Sequence, residues 1–439
     1  MNLCRSFTEL PPLSLYVHIP WCIRKCPYCD FNSHEKKSDL PEEQYVDALL
    51  EDLASEMPSV WGRTISTVFI GGGTPSLFSA QALDKLMSGI RALTGLSPSA
   101  EVTLEANPGT FEQQRFKDYR SLGINRLSIG VQSFNAQALS ALGRVHSSQE
   151  AIRAVDIAHK AGFEQINLDI MFGLPDQSLA AALSDIQQAV ELSTTHLSCY
   201  ELTLEPNTLF ARFPPAVPDE DVRATMQQSI IDVLSGAGFE RYEISAYARQ
   251  TAPYSTSSNG DPVPGSKHRS QHNLNYWQFG DYIGIGAGAH GKISSAAEGT
   301  ITRRWKQKHP NRYLNSSSSD ERLGDQKIIP IEETALEFMM NALRLTQGFA
   351  LPLFELNTGV SLMHWQHTIE QARDRGLLQQ NGLNLQATPM GINWLNDVLE
   401  LFLPDDQPKT GHNLSSKTEL PGESSARRYP IIPLNLKKD

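Results

Sequence analysis

The sequence has little that would place the protein across a membrane or on a nucleic acid. No run of apolar residues among its 439 reaches the roughly 20 that a membrane-spanning helix needs. Lysine and arginine total 38 against 49 aspartate and glutamate, so the formal net charge is -11 and a phosphate backbone is an unfavourable partner. The N-terminal segment also lacks the pattern of a secretory signal. We therefore expect a cytoplasmic protein that binds no nucleic acid, and transient association with a membrane stays open.

Cysteine is also scarce, and its distribution is uneven. The chain has 5 cysteines, an odd number and too few for the disulfide framework of a secreted protein of this length. Cys4 and Cys199 stand alone in the sequence. Cys22, Cys26 and Cys29 form a CxxxCxxC motif in the stretch "HIPWCIRKCPYCDFNSH". This pattern indicates a reducing compartment and a group of thiolates that holds a metal or a metal cluster.

Short apolar segments alternate with longer segments of helical period through the first half of the chain. The apolar segments are "SLYVHIP", "STVFIGGG", "AEVTLEANP", "INRLSIGVQSF", "QINLDIMFGLP" and "THLSCYELTLEP". Six successive strand and helix units predict an α/β fold with a parallel sheet. Periodicity does not choose between an open sheet and a partial barrel. In either arrangement, ligands bind at the carboxyl ends of the strands.

Composition and pattern divide the chain into five parts. We expect an N-terminal extension over residues 1–13, the main α/β domain over 14–250, and an insertion loop followed by a glycine-rich strand region over 251–330. Helical patterns return over 331–403. The tail over 404–439 is polar and proline-rich and is predicted to be disordered.

The chemistry of three clustered thiolates leaves two kinds of metal site open. A structural zinc site needs four ligands, and His18 or His34 would have to supply the fourth. An iron–sulfur cluster held by three cysteines instead leaves one iron open to a small-molecule ligand. The missing fourth cysteine would then correspond to a cofactor.

A CxxxCxxC motif directly after the first strand of a repeating βα chain resembles the radical S-adenosylmethionine (SAM) superfamily. The resemblance implies a partial (β/α)6 barrel similar to a TIM barrel, and a [4Fe-4S] cluster whose unique iron is chelated by the methionyl amine and carboxylate of SAM. A reduced cluster of this kind can cleave SAM to a 5′-deoxyadenosyl radical. The glycines of "FIGGGTPSLF", which alone would indicate a tight turn, resemble the strand end that holds the methionyl amine in this superfamily.

Longer stretches narrow the resemblance to one family. The segments "LYVHIPWC", "LGINRLSIGVQSF", "INLDIMFGLP" and "HNLNYW" are similar to the oxygen-independent coproporphyrinogen III oxidases and the heme chaperones related to them. The resemblance implies that Cys22, Cys26 and Cys29 are the cluster ligands. It also implies eight SAM-binding residues, which are Tyr16, Gly72, Gly73, Thr74, Glu105, Gln132, Arg144 and Asp169.

Two features favour the chaperones over the oxidases. The oxidases carry a further cysteine two residues after the third ligand, where this chain has Phe31. "HNLNYW" resembles a heme-binding motif of the chaperones, which implies that His272, Tyr276 and Trp277 bind heme for transfer to an acceptor apoprotein. Imidazole is a common heme ligand and aromatic rings lie well against a tetrapyrrole. Taken without the resemblance, the motif is more typical of a Tyr/Trp pair that faces the core beside a turn-capping histidine. The alternative function is oxidative decarboxylation of coproporphyrinogen III.

The region over residues 331–403 has the pattern of a small winged-helix-like domain, with helices followed by a short β wing. Residues 331–400 carry eight acidic and three basic side chains, so DNA binding is not expected there. A lid or docking role fits this domain better. His364 and His367 lie three residues apart without a carboxylate or cysteine partner, which is more typical of a surface than of a metal site.

Overall fold

The computed structural model describes residues 4–109, 113–251, 255–256, 262–263 and 267–404. Most of residues 251–266, which belong to the predicted insertion loop, and nearly all of the predicted disordered tail lie outside the described residues. None of the helices within them is both long and apolar enough to cross a membrane.

Six neighbouring parallel strands form the centre of the molecule. They are β1 (Leu13–Ile19), β2 (Thr64–Gly72), β3 (Gly95–Ala106), β4 (Arg126–Gln132), β5 (Gln165–Phe172) and β6 (His196–Glu201). Each strand pairs with the next one along the chain, and the register sets Val17 opposite Ile70 between β1 and β2. Most residues of β4 are buried on both faces, as expected of a parallel strand covered by helices.

Helices connect these strands. They are α1 (Glu42–Glu56), α2 (Ala80–Leu93), α3 (Gln113–Ser121), α4 (Ala136–Ala141), α5 (Ser148–Lys160), α6 (Leu179–Glu191), α7 (Leu209–Arg212) and α8 (Glu220–Gly236), with short 3-10 turns at Met57–Val60 and Pro75–Leu77. Serine side chains cap the first turns of α2, α5 and α6, and Ser147 and Glu150 form a complete capping box on α5. These local signals explain why the helices begin where they do.

The strand order identifies the sheet as a partial barrel. A doubly wound sheet reverses its strand order at a switch point, whereas β1 to β6 follow one another without reversal. Successive helices also pack on one another, α1 on α2, α2 on α3, α3 on α5 and α6 on α8. This is the arrangement of a (β/α) barrel, which confirms the predicted fold class.

The same sheet runs past residue 250, where the sequence analysis ended the main domain. Beyond β6 it continues into β7 (Phe239–Arg241) and β8 (Ala246–Arg249), and beyond β1 into β9 (Asp281–Ile285), β10 (His290–Ser295), β11 (Thr300–Lys306) and β12 (Leu323–Ile328). Strand β9 is parallel to β1, and β10 to β12 are antiparallel to their neighbours. The glycine-rich block therefore extends the barrel sheet, and the domain boundaries remain a proposal.

The remaining elements build a smaller C-terminal domain and its connection to the barrel. The helices are α9 (Gln271–Trp277), α10 (Pro310–Asn315), α11 (Ser319–Arg322), α12 (Thr334–Ala342), α13 (Leu351–Thr358), α14 (Gln366–Asp374), α15 (Pro389–Asn393) and α16 (Leu395–Glu400), with a 3-10 turn at Leu362–Trp365. Strands β13 (Phe349–Ala350), β14 (Leu378–Asn381) and β15 (Asn384–Ala387) form a three-stranded sheet that contains the predicted wing.

An aromatic core holds the C-terminal domain together and joins it to the barrel. The ring of Phe338 lies 4.9 Å from the rings of both Phe349 and Phe354, and 5.7 Å from Phe279, which precedes β9. Buried Arg5 donates to the carbonyl of Ile329 at 2.6 Å, so the N-terminal extension is fixed to the same domain. The C-terminal domain is thus joined both to the segment that precedes β9 and to the N-terminal segment.

Candidate functional site

The three cysteines of the motif lie on the loop that follows β1. Cys22 ends a two-residue strand, and Cys26 and Cys29 belong to a turn in which the Cys29 N–H donates to the Cys26 carbonyl at 3.2 Å. All three side chains are half-buried, form no disulfide, and line one cavity of about 590 Å³. Burial raises the pKa of the Cys22 thiol to about 11, and that of Cys29 as well. Metal binding here must therefore displace protons.

The arrangement of these thiols distinguishes the two kinds of metal site. Among the described side chains, no group of three or more His, Cys, Asp or Glu is placed to hold a single metal ion. The ring of His18 already has partners on both nitrogens, Tyr16 Oη at 2.8 Å and the Asn32 carbonyl at 2.9 Å. A cluster binds each cysteine through a different iron, so the sulfurs need only face a common space. The donor set therefore fits an iron–sulfur cluster better than zinc.

Two glycines at the end of β2 allow the cysteine loop to pack closely. Gly72 has a φ of +120°, and a Cβ there would lie 2.6 Å from His18 Cε1. A Cβ on Gly73 would lie 2.5 Å from the carbonyl oxygen of Trp21, which accepts the N–H of Thr74 at 2.7 Å. The glycines are thus required by packing against the end of β1, and they line the cysteine cavity as well.

Most of the residues predicted to bind SAM line the same cavity as the cysteines. These residues are Gly72, Gly73, Thr74, Glu105, Gln132, Arg144 and Asp169. The eighth, Tyr16, lines a neighbouring cavity that also includes Gly72 and Glu105. Because β2 to β5 are parallel neighbours, their carboxyl ends bring side chains that are distant in sequence to one mouth.

The two acidic residues of this cavity have unusual protonation behaviour. Glu105 is half-buried, and removal of its carboxyl group from water raises its pKa to about 8, although a carboxyl oxygen accepts the Gly72 N–H at 2.9 Å. Burial also raises the pKa of Asp169 to about 6, against hydrogen bonds from Asn167 and Ser128. The positive charge of Arg144 also acts against this rise at Asp169. A buried carboxyl group whose pKa is raised favours a ligand that carries positive charge.

Arg144 provides the complementary charge. It donates to Asn107 Oδ1 at 2.7 Å and to the Gly130 carbonyl, and its Nη1 lies 3.8 Å from Cys26 Sγ. Its Nε is buried without a hydrogen-bond partner. An unsatisfied guanidinium N–H beside the cysteine loop is suited to a carboxylate ligand.

Some residues of the site were missed by the sequence analysis. Asn107 links the site through bonds to Thr74 Oγ1 at 2.7 Å and to Arg144, and its position directly after β3 is a signal that could have identified it. Asn167 donates a hydrogen bond to Asp169, and His196 Nδ1 lies 2.6 Å from Asn167 Oδ1. Both residues therefore help to hold Asp169 in position. His196 begins β6 and lies away from the strand end, so the strand-end rule could not find it.

The residues of "HNLNYW" lie in α9, where the three predicted heme-binding side chains have different surroundings. His272 is 1% exposed, and its ring nitrogens lie 2.8 Å from Thr67 Oγ1 and 3.0 Å from Tyr276 Oη. Burial lowers its pKa to about 3. Tyr276 and Trp277 line the neighbouring cavity of about 860 Å³, whereas His272 is not part of its wall. The helix thus presents two aromatic rings to the cavity and keeps the imidazole behind one of them.

This second cavity has aromatic and basic walls. The ring of Tyr276 packs 4.5 Å from that of Tyr282, and the Nε1 of Trp277 is buried without a hydrogen-bond partner. Lys25, Lys308 and Arg303 also contribute to its lining. Cys29, Gly72 and Glu105 line both cavities, so the two spaces adjoin at the cluster loop.

Comparison with known proteins agrees with this architecture. Residues 16–187 match the model of the radical SAM superfamily, and residues 329–394 match that of the HemN C-terminal domain. The solved structure of coproporphyrinogen III oxidase HemN from Escherichia coli, described as a radical SAM enzyme, superimposes with a TM-score of 0.73 over 91% of this chain and 94% of that one. At 20% identity, this likeness shows a common fold.

Curated relatives are much more similar in sequence. The heme chaperone HemW of Escherichia coli (strain K12) is 46% identical over 90% of this chain and 100% of its own length. That of Haemophilus influenzae is 45% identical over 91% of this chain and 100% of its own. That of Synechocystis is 34% identical over 78% and 80%. The chain therefore belongs to the HemW family within the radical SAM superfamily.

Proposed function

We propose that this protein is a heme chaperone that binds heme and passes it to an acceptor apoprotein, with a [4Fe-4S] cluster and SAM held beside the heme. One observation carries the proposal: a cavity with three thiols and a cavity with aromatic and basic walls adjoin at Cys29, Gly72 and Glu105. The relatives that are named heme chaperones match over nearly the whole chain, which supports the same role. The acceptor is a heme-binding apoprotein of unassigned identity.

In this proposal Cys22, Cys26 and Cys29 hold the cluster, and the fourth iron is left for SAM. Arg144 binds the methionyl carboxylate through its unsatisfied Nε–H, and Glu105 and Asp169 lie in the same cavity as acceptors for the cationic or hydroxyl groups of the nucleoside. The reduced cluster would supply an electron to SAM. Tyr16, Gly72, Gly73, Thr74 and Gln132 complete the binding surface.

Heme occupies the second cavity in this proposal. Tyr276 and Trp277 lie against the tetrapyrrole, and the basic residues of the lining pair with its propionates. His272 belongs to the heme site through Tyr276, since its Nε2 holds the tyrosine hydroxyl. A cytosolic location suits a protein whose five cysteines form no disulfide.

The test against the oxidase alternative uses anaerobically reconstituted protein. We expect stoichiometric heme binding and no vinyl product from coproporphyrinogen III with SAM and a reductant. Phe31, 65% exposed on the cluster loop, stands where the oxidases carry another cysteine, which is why no turnover is expected. Formation of the vinyl product without stable heme binding would replace the chaperone role with the oxidase role.

A second test separates the cluster from the heme site. Changing Cys22, Cys26 and Cys29 together to Ala should remove iron and sulfide while the far-ultraviolet circular dichroism is retained. His272→Ala should weaken heme binding, because Tyr276 loses its hydrogen-bond partner, yet leave the absorption of the cluster near its original strength. His367→Ala, at an exposed position of the C-terminal domain, is the control. Loss of cluster and heme together in His272→Ala would assign this residue to folding alone.

A further inference from the structure

Helix α9 carries the residues proposed to bind heme, and its two ends are held by different parts of the chain. At its start, Glu101 of β3 accepts the backbone N–H groups of Gln271 and His272 at 3.1 and 3.0 Å. Just past its end, buried Asn357 of α13 donates to the carbonyl of Gln278 at 2.6 Å. The barrel thus fixes one end of α9 and the C-terminal domain fixes the other, so the placement of the proposed heme site depends on both.

Arg344 of the C-terminal domain lies against the indole of Trp277. The guanidinium carbon is 4.5 Å from the ring centroid, which is within the range of a cation–π contact, and tryptophan is the best aromatic partner for such a contact. Trp277 lines the second cavity and Arg344 does not. The guanidinium therefore covers one face of the indole from outside that cavity. A tetrapyrrole can then lie only against the other face or an edge of the ring.

The guanidinium itself is held in place by the barrel. Its Nε and Nη2 lie 2.7 and 2.6 Å from Oε1 of Glu243, which is 3% exposed. The second oxygen of Glu243 accepts the N–H of Ser245 at 2.9 Å, and the backbone carbonyl of Arg344 accepts the N–H of Ile244 at 3.1 Å. Arg344 is therefore fixed through its side chain and its backbone, and this charge-assisted pair gives the neighbouring ring a rigid support.

The orientation of Trp277 matters because the indole offers two different features to a ligand. Its face is apolar and suited to a flat ring, whereas its Nε1–H is a buried donor that has no hydrogen-bond partner in the part of the chain that the structure describes. A rotation of the indole would move both features at once. A residue that limits this rotation therefore contributes to heme affinity without touching the heme.

We propose that Arg344 is a positioning residue of the heme site, which holds the indole of Trp277 in the orientation that receives the tetrapyrrole. This inference rests on the proposed heme-binding function and adds a residue from outside the "HNLNYW" motif. It also gives the C-terminal domain a defined part in heme binding, through a side chain that lies two residues beyond the end of α12.

The test measures the binding of ferric heme to the full-length protein with its cluster reconstituted anaerobically, followed by Soret absorbance. We expect Arg344→Gln to bind heme about five- to thirtyfold more weakly, the range that the energy of a partly buried cation–π contact allows. Arg344→Lys should fall between this variant and the wild type, because it keeps a cation but loses the planar guanidinium. Arg249→Gln is the matched control and should leave heme affinity unchanged, because Arg249 lies 4.6 Å from the ring centroid of Phe239 and lines neither cavity.

A double-mutant cycle separates positioning from a general structural role. If Arg344 acts through Trp277, Arg344→Gln should change heme affinity by less than about twofold once Trp277→Leu is present. The change that SAM induces in the electron paramagnetic resonance spectrum of the reduced cluster should persist in Arg344→Gln, although Arg344 also lines the cysteine cavity. Because Arg344→Gln removes the cation that pairs with Glu243, the combined variant Glu243→Gln and Arg344→Gln is measured as well. It should bind heme as weakly as Arg344→Gln alone.

The outcomes separate this inference from the proposed function. Wild-type heme affinity in Arg344→Gln and in the combined variant would overturn the inference while the heme-binding function stands. A full loss on adding Arg344→Gln to Trp277→Leu would show that Arg344 acts independently of the indole, which also overturns it. An equal loss in Arg249→Gln would replace positioning by a general effect on stability, and loss of the SAM response in Arg344→Gln would assign Arg344 to the cysteine cavity instead. A wild-type protein that binds no heme would remove the proposed function itself.

Discussion

Replacing Glu105 by glutamine tests whether Glu105, in the cavity lined by the three cysteines, is protonated in the folded protein. The carboxyl group of Glu105 has its pKa raised from 4.5 to about 8 by burial, and the nearby charge of Asp169 acts in the same direction. In the folded protein without ligand, Glu105 therefore stays protonated at neutral pH. Glutamine keeps an oxygen that can accept the Gly72 N–H, which lies 2.9 Å from Glu105 Oε2 in the wild type, but it does not titrate.

The sign of the effect follows from proton linkage. Between pH 4.5 and about 8 the folded state retains a proton on Glu105 that the unfolded chain has released, so the free energy of unfolding falls as pH rises through this window. A group with such a shift changes that free energy by about 1.4 kcal/mol per pH unit, which gives about 3 kcal/mol as an upper bound between about pH 5.5 and pH 7.5. Glu105→Gln should lack this contribution.

The measurement is urea unfolding of protein without cluster or SAM across this pH range, followed by intrinsic fluorescence. The wild type should lose stability relative to Glu105→Gln by about 1 to 3 kcal/mol as pH rises. Glu9→Gln, an exposed glutamate, is the matched control and should follow the wild-type pH profile. Parallel pH profiles for wild type and Glu105→Gln would refute the argument that Glu105 is protonated in the folded protein.

Two further substitutions test the packing that positions the site. Gly73→Ala should lower the iron and sulfide incorporated on reconstitution, because its Cβ would meet the Trp21 carbonyl at 2.5 Å, whereas Gly236→Ala, with open space around it, should load normally. Asp281→Asn should lower the free energy of unfolding by about 3 kcal/mol or more, since it leaves buried cations without a full partner. Asp156→Asn, which breaks only an exposed ion pair, should cost less than about 0.5 kcal/mol in the same urea titration.

The sequence predicted the fold class because its signals are local. The alternation of apolar strands with capped helices can be recognised from residues that are close together in the sequence. Strands β1 to β6 appear where the apolar segments predict them. The cysteine motif and the polar groups at strand ends are local as well. Parallel pairing then brings Glu105, Arg144 and Asp169 to one cavity by a general rule of the architecture.

The continuation of the sheet could not be predicted in this way. Strand β9 pairs in parallel with β1, which precedes it by more than two hundred residues, and nothing in its own sequence names that partner. Without knowledge of this pairing, the glycine-rich block is interpreted as part of an insertion. Gly284 is explained only when β10 is packed against it.

What the sequence by itself determined is the chemistry available to this protein: three thiolates in a CxxxCxxC motif, a succession of βα units, and a histidine beside aromatic residues in "HNLNYW". Only the tertiary structure decided which of these groups face a ligand. It buried His272 behind Tyr276 and set Arg344, from a different segment, against the ring of Trp277. The physical reason is that side-chain exposure depends on contacts between distant segments, and a residue pattern along the chain does not contain them.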